Sequence, residues 1–389
     1  MRPNDLQYTY SKGNRIDVDN WLALWELTQG LAGGAELRRS DYLFEYVNIP
    51  EIINYMAVSN LLLNQDRCTK NFYVYEDPAS KRWSIIPWDT EGSMGISSGL
   101  NGKPAPDYCV LVCEQWNSPF YCDSEHPQDL AALSELEIET GRRLKQQSID
   151  RIRTIPRNFR RPSAAAYNTD RTSGASPTGP AGTYNHLDDA ILDWEETRVM
   201  YLRRLRTLMD QFLNGRLESI IADMYQSIET DALKDNDRWN VTLRVRSGVE
   251  QLLTEQLPAR REQLYDIYGP TGTGVIPDGQ PSRISLTVER VESPSSREQQ
   301  YIQVSNPNKI AVDVSGWLLN GAVRFTFAPG TVIAPGGSIY VTPSIDGFRN
   351  RPSSPKGGEG LFYVGPCSYI EPGTSESDIV VMNAQAQRV

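Results

Sequence analysis

A run rich in glycine and proline between residues 269 and 281 divides this chain into two parts with different hydrophobic patterns. Before the run, apolar residues recur at helical spacing. After it, short apolar segments are separated by turn residues, as in β-strands. A Gly/Pro-rich segment of this kind is typical of a linker at a domain boundary. The pattern therefore predicts an α+β protein with a mostly helical part over residues 1–268, a linker over 269–281 and an all-β part over 282–389.

The composition narrows the possible classes of function. The chain has 389 residues, a length that suggests two or three domains. Its 39 Lys and Arg residues against 49 Asp and Glu residues give a net charge of −10, which argues against general binding to nucleic acid. No window approaches the roughly 18 uncharged apolar residues that a membrane-spanning helix needs. We therefore expect neither a specific nucleic-acid partner nor a transmembrane segment.

Local patterns predict the individual elements. Predicted helices cover residues 18–31, 52–63, 186–212, 217–233 and 249–265, and the second is apolar around most of its circumference, which is typical of a buried helix. Two aromatic and β-branched runs at 71–75 and 83–87 flank an Asp-Pro turn and predict a β-hairpin. Predicted strands in the C-terminal part cover residues 284–291, 300–305, 311–319, 322–327, 338–342 and 361–364. Short strands at this spacing indicate a β-sandwich of about 100 residues.

Residues 128–183 differ in composition from the rest of the helical part. Residues 142–161 hold eight basic side chains and one acidic side chain, and residues 163–183 are rich in Ala, Ser, Thr, Gly and Pro. This composition predicts a disordered insertion, and a dedicated basic binding site is the alternative.

The five cysteines do not indicate a disulfide scaffold. They stand at positions 68, 109, 113, 122 and 367, without the paired CxxC spacing of a structural zinc site. Cys109, Cys113, Cys122 and His126 can be read as four metal ligands. A disulfide from Cys109 or Cys113 to Cys122, or simply buried thiols, fits the loop-forming residues around them better. The odd number leaves at least one thiol free.

The segment from residue 64 to residue 91 carries the most informative polar residues. Asp66 follows the predicted buried helix, Asn71 stands five residues later, and Asp89 follows the predicted hairpin. This order matches the part of protein kinases in which one Asp orients the attacking hydroxyl, while an Asn and a second Asp hold Mg²⁺ on the nucleotide phosphates. Taken singly, the three residues would be a helix cap, a hairpin contact and a turn residue. Taken together, they favour a site for metal-assisted phosphoryl transfer.

The same residues resemble a known family. The segments 60–67, 71–77 and 81–95, the last with its Pro87-Trp-Asp89 element, closely resemble the CotH kinase family of atypical secreted kinases, named for a spore-coat protein. The resemblance continues in residues 117–126, 201–208 and 257–264, and it covers about residues 1–268. It implies a kinase-like fold in which the helices and the hairpin form the C-terminal lobe.

The resemblance also implies an activity, the transfer of the γ-phosphoryl group of ATP to Ser or Thr hydroxyls of protein substrates with Mg²⁺ or Mn²⁺. Asp66 would then be the catalytic residue, Asn71 and Asp89 the metal ligands, and Arg67 and Glu91 candidates for contacts with the bound nucleotide. Only 65 residues precede Asp66, and they show neither a Gly-rich loop nor a strand-borne Lys. We therefore expect an N-terminally incomplete or degenerate member, and the alternative function is that of a truncated kinase or pseudokinase scaffold.

The C-terminal part resembles a second family. Residues 300–308, 312–317 and 327–337 are similar to the lamin-tail domain, an immunoglobulin-like sandwich, and this resemblance implies a binding or surface-attachment module. Within it, Trp317 is most simply a core aromatic residue and Asn306 a turn residue. CotH-type kinases are commonly exported, so the resemblance implies a secreted or cell-surface protein with a possible cell-surface partner. A third possibility is an interaction protein whose function lies in the C-terminal domain.

Overall fold

A computed structural model describes residues 21–32, 38–64, 71–90, 92–94, 96–97, 103–104, 186–213, 215–239, 245–272, 274–292, 294 and 296–389. The predicted insertion at 128–183, the cysteines at 68, 109, 113 and 122, and His126 lie outside these residues. The described residues form an α+β structure of helices and several small sheets.

Three helices open the described part of the chain: α1 (Leu22–Ala32), α2 (Arg39–Tyr46) and α3 (Ile49–Leu61). Helix α3 is central, with ten of its 13 residues buried, which confirms the prediction of a buried helix. Pro50 stands in its first turn, where the missing N–H has no helical partner in any case. The sequence pattern does not predict α2, because its apolar residues Tyr42, Leu43 and Phe44 are consecutive and give no helical stripe.

The hydrophobic stripe from residue 186 to residue 212 predicts one helix, but the structure divides it into α4 (His186–Asp193) and α5 (Glu195–Gln211). The break lies at Trp194. There the Thr197 hydroxyl donates to Ile191 O at 2.7 Å, and Arg198 Nη1 donates to Leu192 O at 2.8 Å. Side chains thus satisfy the last carbonyl groups of α4, so the stripe continues while the backbone changes direction.

The next predicted helices are α6 (Arg216–Trp239) and a chain of four helical segments. These are α7 (Val245–Gln251), a π-helical turn (Leu252–Gln256), α8 (Leu257–Arg261) and a second π-helical turn (Glu262–Ile267). Pro258 lies in the first turn of α8, after the first wide turn. Because proline has no N–H to donate to the preceding turn, a local widening lets the helical course continue through it.

The predicted hairpin is confirmed as β1 (Phe72–Glu76) and β2 (Trp83–Pro87), antiparallel and paired from Glu76 opposite Trp83 to Phe72 opposite Pro87. Its inner face packs on α3, where Ile85 is buried and the rings of Phe72 and Tyr55 meet edge to face. A small separate pair, β3 (Ile96–Ser97) and β4 (Lys103–Pro104), follows.

The C-terminal part consists of short strands in three sheets. They are β5 (Thr287–Glu292), β6 (Tyr301–Ser305), β7 (Val312–Asp313), β8 (Leu318–Gly321), β9 (Phe325–Thr326), β10 (Val332–Ile333), β11 (Ser338–Val341), β12 (Tyr363–Val364) and β13 (Ile379–Met382), with helix α9 (Ile345–Arg349) between β11 and β12. The sheet orders are β12-β11-β6-β5, β13-β8-β9 and β10-β7, and only β11 and β12 pair in parallel.

The turn at Gly316 and the side chains of Trp317 and Asn306 shape this part of the molecule. The predicted strand at 311–319 is divided into β7 and β8, because the chain turns at Gly316, which has a φ of 74°. Trp317 is buried, as predicted for a core residue. The buried Asn306 side chain donates to Ile310 O, Ile333 O and Ala334 O, so it holds neighbouring turns together.

The helices and the C-terminal strands share one continuous apolar cluster, which includes Ile52 of α3, Leu205 of α5 and Val332 of β10. A buried ion pair crosses the same contact: Arg204 Nη1 lies 3.1 Å from Asp313 Oδ2, and Arg204 Nε donates to Asn54 Oδ1 at 2.9 Å. Helices α1 to α5 and the C-terminal strands therefore share one core, whereas α6 buries none of its residues.

The end of the predicted linker packs against α5 and the C-terminal strands. Ile276 is fully buried, and Arg203 and Arg206 of α5 donate to the carbonyl oxygens of Asp278 and Pro277. The Gln280 amide bonds both backbone groups of Asp313. This stretch is thus held along its length. Among all described residues, no helix combines the length and apolar character needed to cross a membrane.

Candidate functional site

The base of the hairpin brings Asn71 and Asp89 into contact. Asn71 directly precedes β1, and Asp89 stands two residues after the end of β2. The Trp88 N–H donates to Asn71 O at 3.0 Å and so extends the ladder by one bond. The Asn71 side chain adds a second link, because its Nδ2 donates to Asp89 O at 2.9 Å. Two of the three residues that the sequence analysis singled out are therefore neighbours, although 18 positions separate them.

These two side chains carry oxygen atoms of the kind that hard divalent cations prefer. Since Asn71 Nδ2 acts as a donor, Oδ1 is the atom of this amide that can ligate a cation. The Asp89 side chain is exposed, so its carboxylate can be reached from solvent. The pair therefore fits the divalent metal that the resemblance implies. Within the described ranges, no three or more His, Cys, Asp or Glu side chains are arranged to hold a metal ion.

The backbone at this end of the hairpin is unusual. Six described residues other than glycine have a positive φ, and four of them stand here: Leu63 (50°), Asn71 (62°), Asp89 (52°) and Met94 (52°). Asn and Asp tolerate the left-handed conformation, whereas Leu and Met adopt it at a cost of about 1–2 kcal/mol. Such costs persist only where the surrounding structure holds the backbone, and they cluster at functional sites. The concentration of these residues marks this region as a candidate site.

The C-terminal end of α3 adjoins the same region. The Met94 N–H donates to Leu62 O at 2.9 Å, and the N–H of the buried Asn64 donates to Ser59 O at 2.8 Å. The chain just before residue 65 and the chain just after residue 91 are therefore held against each other.

Arg260 of α8 fixes this end of α3. Its buried guanidinium donates to Asn60 Oδ1 at 2.9 Å, to Asn60 O and to Leu61 O, and also to Gln263 Oε1 at 2.9 Å. A positive group at these carbonyls suits the negative end of the helix dipole. Arg260 was not among the predicted site residues. The only sequence signal for it was its place in the family-like segment 257–264, because Asn60 of α3, its partner, lies 200 positions away.

Three of the predicted site residues fall outside the described part of the chain. Asp66 and Arg67 lie within residues 65–70, and Glu91 follows Thr90. Their roles stay predictions. The described residues that flank them are the buried Asn64, Asn71 and the exposed Thr90.

Asp77 at the opposite end of the hairpin is a turn residue, as predicted. Its carboxylate accepts hydrogen bonds from the N–H groups of Ala79 and Ser80 and from the Ser80 hydroxyl. The Ser80 hydroxyl bond, followed by these backbone bonds, lowers the pKa of Asp77 below its usual value. This carboxylate serves the turn, which explains its presence without a role in chemistry.

One of the three comparisons with known proteins finds a match. A family model described as CotH kinase protein matches residues 1–262, about two thirds of the 389 residues. No curated protein and no solved structure matches the chain. The matched range contains α3, the hairpin with Asn71 and Asp89, and Arg260. Because the matched range covers more than half of the chain, the chain belongs to the CotH kinase family.

Proposed function

We propose that this chain is an atypical protein kinase that uses ATP and Mg²⁺, or Mn²⁺, to phosphorylate Ser or Thr hydroxyls of protein substrates. Family membership supports kinase-like activity in general. The observation that carries the finer proposal is the contact of Asn71 with Asp89 among four left-handed residues at the hairpin base. The contact makes neighbours of two residues, one with an amide oxygen and one with an exposed carboxylate, on a hydrogen-bonded ribbon.

Each residue has a defined task in this proposal. Asp89 and Asn71 would hold the divalent cation, which would supply positive charge to offset that of the nucleotide phosphates. Asp66 orients the substrate hydroxyl towards the γ-phosphate and accepts its proton. Arg67 and Glu91 contact the nucleotide or the groups around it. The chain contributes chiefly by positioning and by fixed electrostatics.

The test is calorimetric titration of Mg²⁺ and ATP into the full chain and into Asp89→Asn. Asparagine favours the left-handed conformation even more than aspartate, so this variant keeps the backbone and removes only the charge. We expect the dissociation constant of the metal–nucleotide complex to rise by about ten-fold or more, which corresponds to about 1.4 kcal/mol. Asp235→Asn, on the exposed side of α6, is the matched control and should bind like the unchanged chain.

Equal binding by Asp89→Asn and the unchanged chain would reject Asp89 as a metal ligand. Absence of binding in all three proteins would reject the kinase proposal for this chain and favour the scaffold alternative. In that case the function would lie in surfaces rather than in the hairpin base.

We further propose that residues 282–389 are a lamin-tail-like, immunoglobulin-like domain, and that the protein acts outside the cell or at its surface. Support comes from the family-like segments 300–308, 312–317 and 327–337, and from the short strands that pack around a common core. In this proposal the exposed face of the domain binds a cell-surface component, while the opposite face packs on the helices. Residues 269–281 form the connection between the two parts.

A further inference from the structure

Arg82 joins the hairpin to two other parts of the molecule. It stands directly before β2 and is buried, with 8% of its surface exposed. Its guanidinium donates to Tyr363 O of β12 at 2.8 Å, to Phe44 O at 3.1 Å and to Glu45 O at 3.3 Å, the last two in α2. The guanidinium also lies over the Tyr363 ring, 4.1 Å from its centroid. One side chain of the hairpin thus bonds α2 and the C-terminal strands together.

The acid nearest to this contact also bridges the two parts. Glu45 of α2 pairs with Arg349 of α9 and accepts a hydrogen bond from Gly358 N at 2.8 Å. Arg349 Nη2 donates to Glu45 O at 3.0 Å. Arg82, Glu45 and Arg349 form a buried cluster of charges, which we call the Arg82 cluster. Burial lowers the pKa of Arg82, and the Tyr363 and Glu45 groups oppose that shift.

Arg82 shares the support of this end of the hairpin with Asn48, whose N–H donates to Trp83 O at 2.9 Å and whose Nδ2 donates to Ser84 Oγ at 3.2 Å. A two-stranded hairpin is at best marginally stable unless another element covers one of its faces. Here α3 covers the inner face through Ile85, while the outer face exposes Tyr73, Tyr75, Ile86 and Trp88 by about half of their surfaces. The ladder runs without a bulge from the turn to Phe72 opposite Pro87. A change of orientation at the Arg82 end is therefore transmitted along the ribbon to Asn71 and Asp89.

We propose that Arg82 is a positioning residue through which the C-terminal strands hold the hairpin base, with Asn71 and Asp89, in place. In this proposal the C-terminal part supports the geometry of the candidate site, and this role is separate from the binding role proposed for it above. The inference concerns the geometry of the hairpin. Only its consequence for metal affinity rests on the proposed function.

The test compares Arg82→Met and Arg82→Lys in the full chain with Arg290→Met, in which an exposed arginine of β5 is changed. Peptide-resolved hydrogen exchange reports the hairpin directly, because the Trp88 N–H is bonded to Asn71 O. In Arg82→Met, three carbonyl acceptors lose their donor, so we expect the exchange rates of residues 83–90 to rise about ten-fold. The exchange rates of residues 199–209 in α5 should stay the same. Arg82→Lys keeps the charge and should have a smaller effect. Arg290→Met should have none.

A second readout is the dissociation constant of Mn²⁺ alone, which should rise about ten-fold in Arg82→Met in parallel with the exchange rates. Unchanged exchange of residues 83–90 in a folded Arg82→Met protein would overturn the proposal. Equal acceleration in α5 and the hairpin would also overturn it, because that result indicates a general stabilising role. If Arg82→Met does not fold, the exchange rates of the hairpin and of α5 in Arg82→Lys and Tyr363→Leu test the proposal in the same way.

The two readouts separate this proposal from the proposed function. Accelerated exchange of the hairpin without Mn²⁺ binding in any variant would support the positioning role and reject the metal site. Mn²⁺ binding that is equal in all variants, together with unchanged exchange, would reject the positioning role and leave the metal site supported.

Discussion

At the scale of single residues, the structure shows which polar side chains stabilise turns, helix ends and buried pairs. Asp77 is used by its turn, Arg260 by the end of α3, and Arg204 by its pair with Asp313. Asp89 differs from these residues. Its backbone oxygen accepts a hydrogen bond from the Asn71 amide, and its side chain is exposed. A carboxylate in this position has no evident task in stabilising the hairpin, which is why it is the first residue to test.

Cys367 offers a prediction that depends on burial alone. It is the only cysteine among the described residues, it is partly buried against the core and not in a disulfide, and this burial raises the pKa of its thiol to about 12. Because the thiolate is the reactive form and an ordinary thiol has a pKa of about 8.5, alkylation at pH 8 should be slower in the folded protein by on the order of a thousand-fold. Timed iodoacetamide labelling with mass spectrometry, in buffer and in urea, measures this. Equal rates in both would contradict the burial of this thiol.

At the scale of elements, a loop of the C-terminal part lies against the start of α3. Gly330 has a φ of 87°, and a Cβ atom at this position would stand 1.9 Å from Pro50 O and 2.8 Å from Asn54 Cβ. No larger residue fits without separating the loop from α3. Gly336 has a φ of 67° but would place its Cβ at least 4 Å from every neighbour. Both glycines therefore have a left-handed backbone conformation, but only Gly330 lies too close to α3 to accept a Cβ atom.

This difference gives a matched pair of variants. Gly336→Ala should lower the free energy of unfolding by about 1 kcal/mol, the usual cost of a left-handed alanine. Gly330→Ala should lower it by roughly 2 kcal/mol more, because overpacking against α3 is added. Urea unfolding followed by circular dichroism measures both. Equal losses would show that the loop does not press on α3 as described.

At the scale of the whole molecule, the helices and the C-terminal strands are joined by a shared apolar cluster and by buried charges. Arg204 and Asp313 have side-chain exposures of 7% and 1%, whereas the pair of Lys234 and Asp231 on α6 has 73% and 87%. A buried charge that loses its partner remains in a medium that solvates it poorly, while an exposed one is hydrated. The Arg204–Asp313 pair should therefore contribute to the stability of both the helices and the C-terminal strands, whereas the Lys234–Asp231 pair should contribute to neither.

Asp313→Ala should lower the free energy of unfolding by about 3–5 kcal/mol. Asp231→Ala should change it by less than about 1 kcal/mol. We expect hydrogen exchange in Asp313→Ala to accelerate together in residues 199–209 of α5 and in residues 301–305 of β6, because they share one core. Acceleration confined to β6 would mean that the C-terminal part unfolds on its own.

Much of the local structure followed from the sequence because local patterns determine it. The hairpin around its Asp-Pro turn and the buried α3 were predicted within a few residues, since alternation and all-round apolarity are properties of contiguous residues. Helical stripes likewise predicted the helical course of 186–212 and the start of α6, which continues to Trp239, six residues beyond its predicted end. The break at Trp194 was not predicted, because it depends on two side chains that take carbonyl groups of the preceding turn. The division of residues 311–319 into two strands depends similarly on the turn at Gly316.

The sequence by itself determined the identity and order of the candidate site residues and the family to which the chain belongs, because these are properties of spacing and motif. Only the tertiary structure decided which of the described residues meet. It brought Asn71 to Asp89 across the hairpin, Arg260 to the end of α3, and Arg82 to both α2 and β12. Such contacts join residues up to 281 positions apart. Their energies come from burial and from satisfied hydrogen bonds, which exist only once the whole chain has folded.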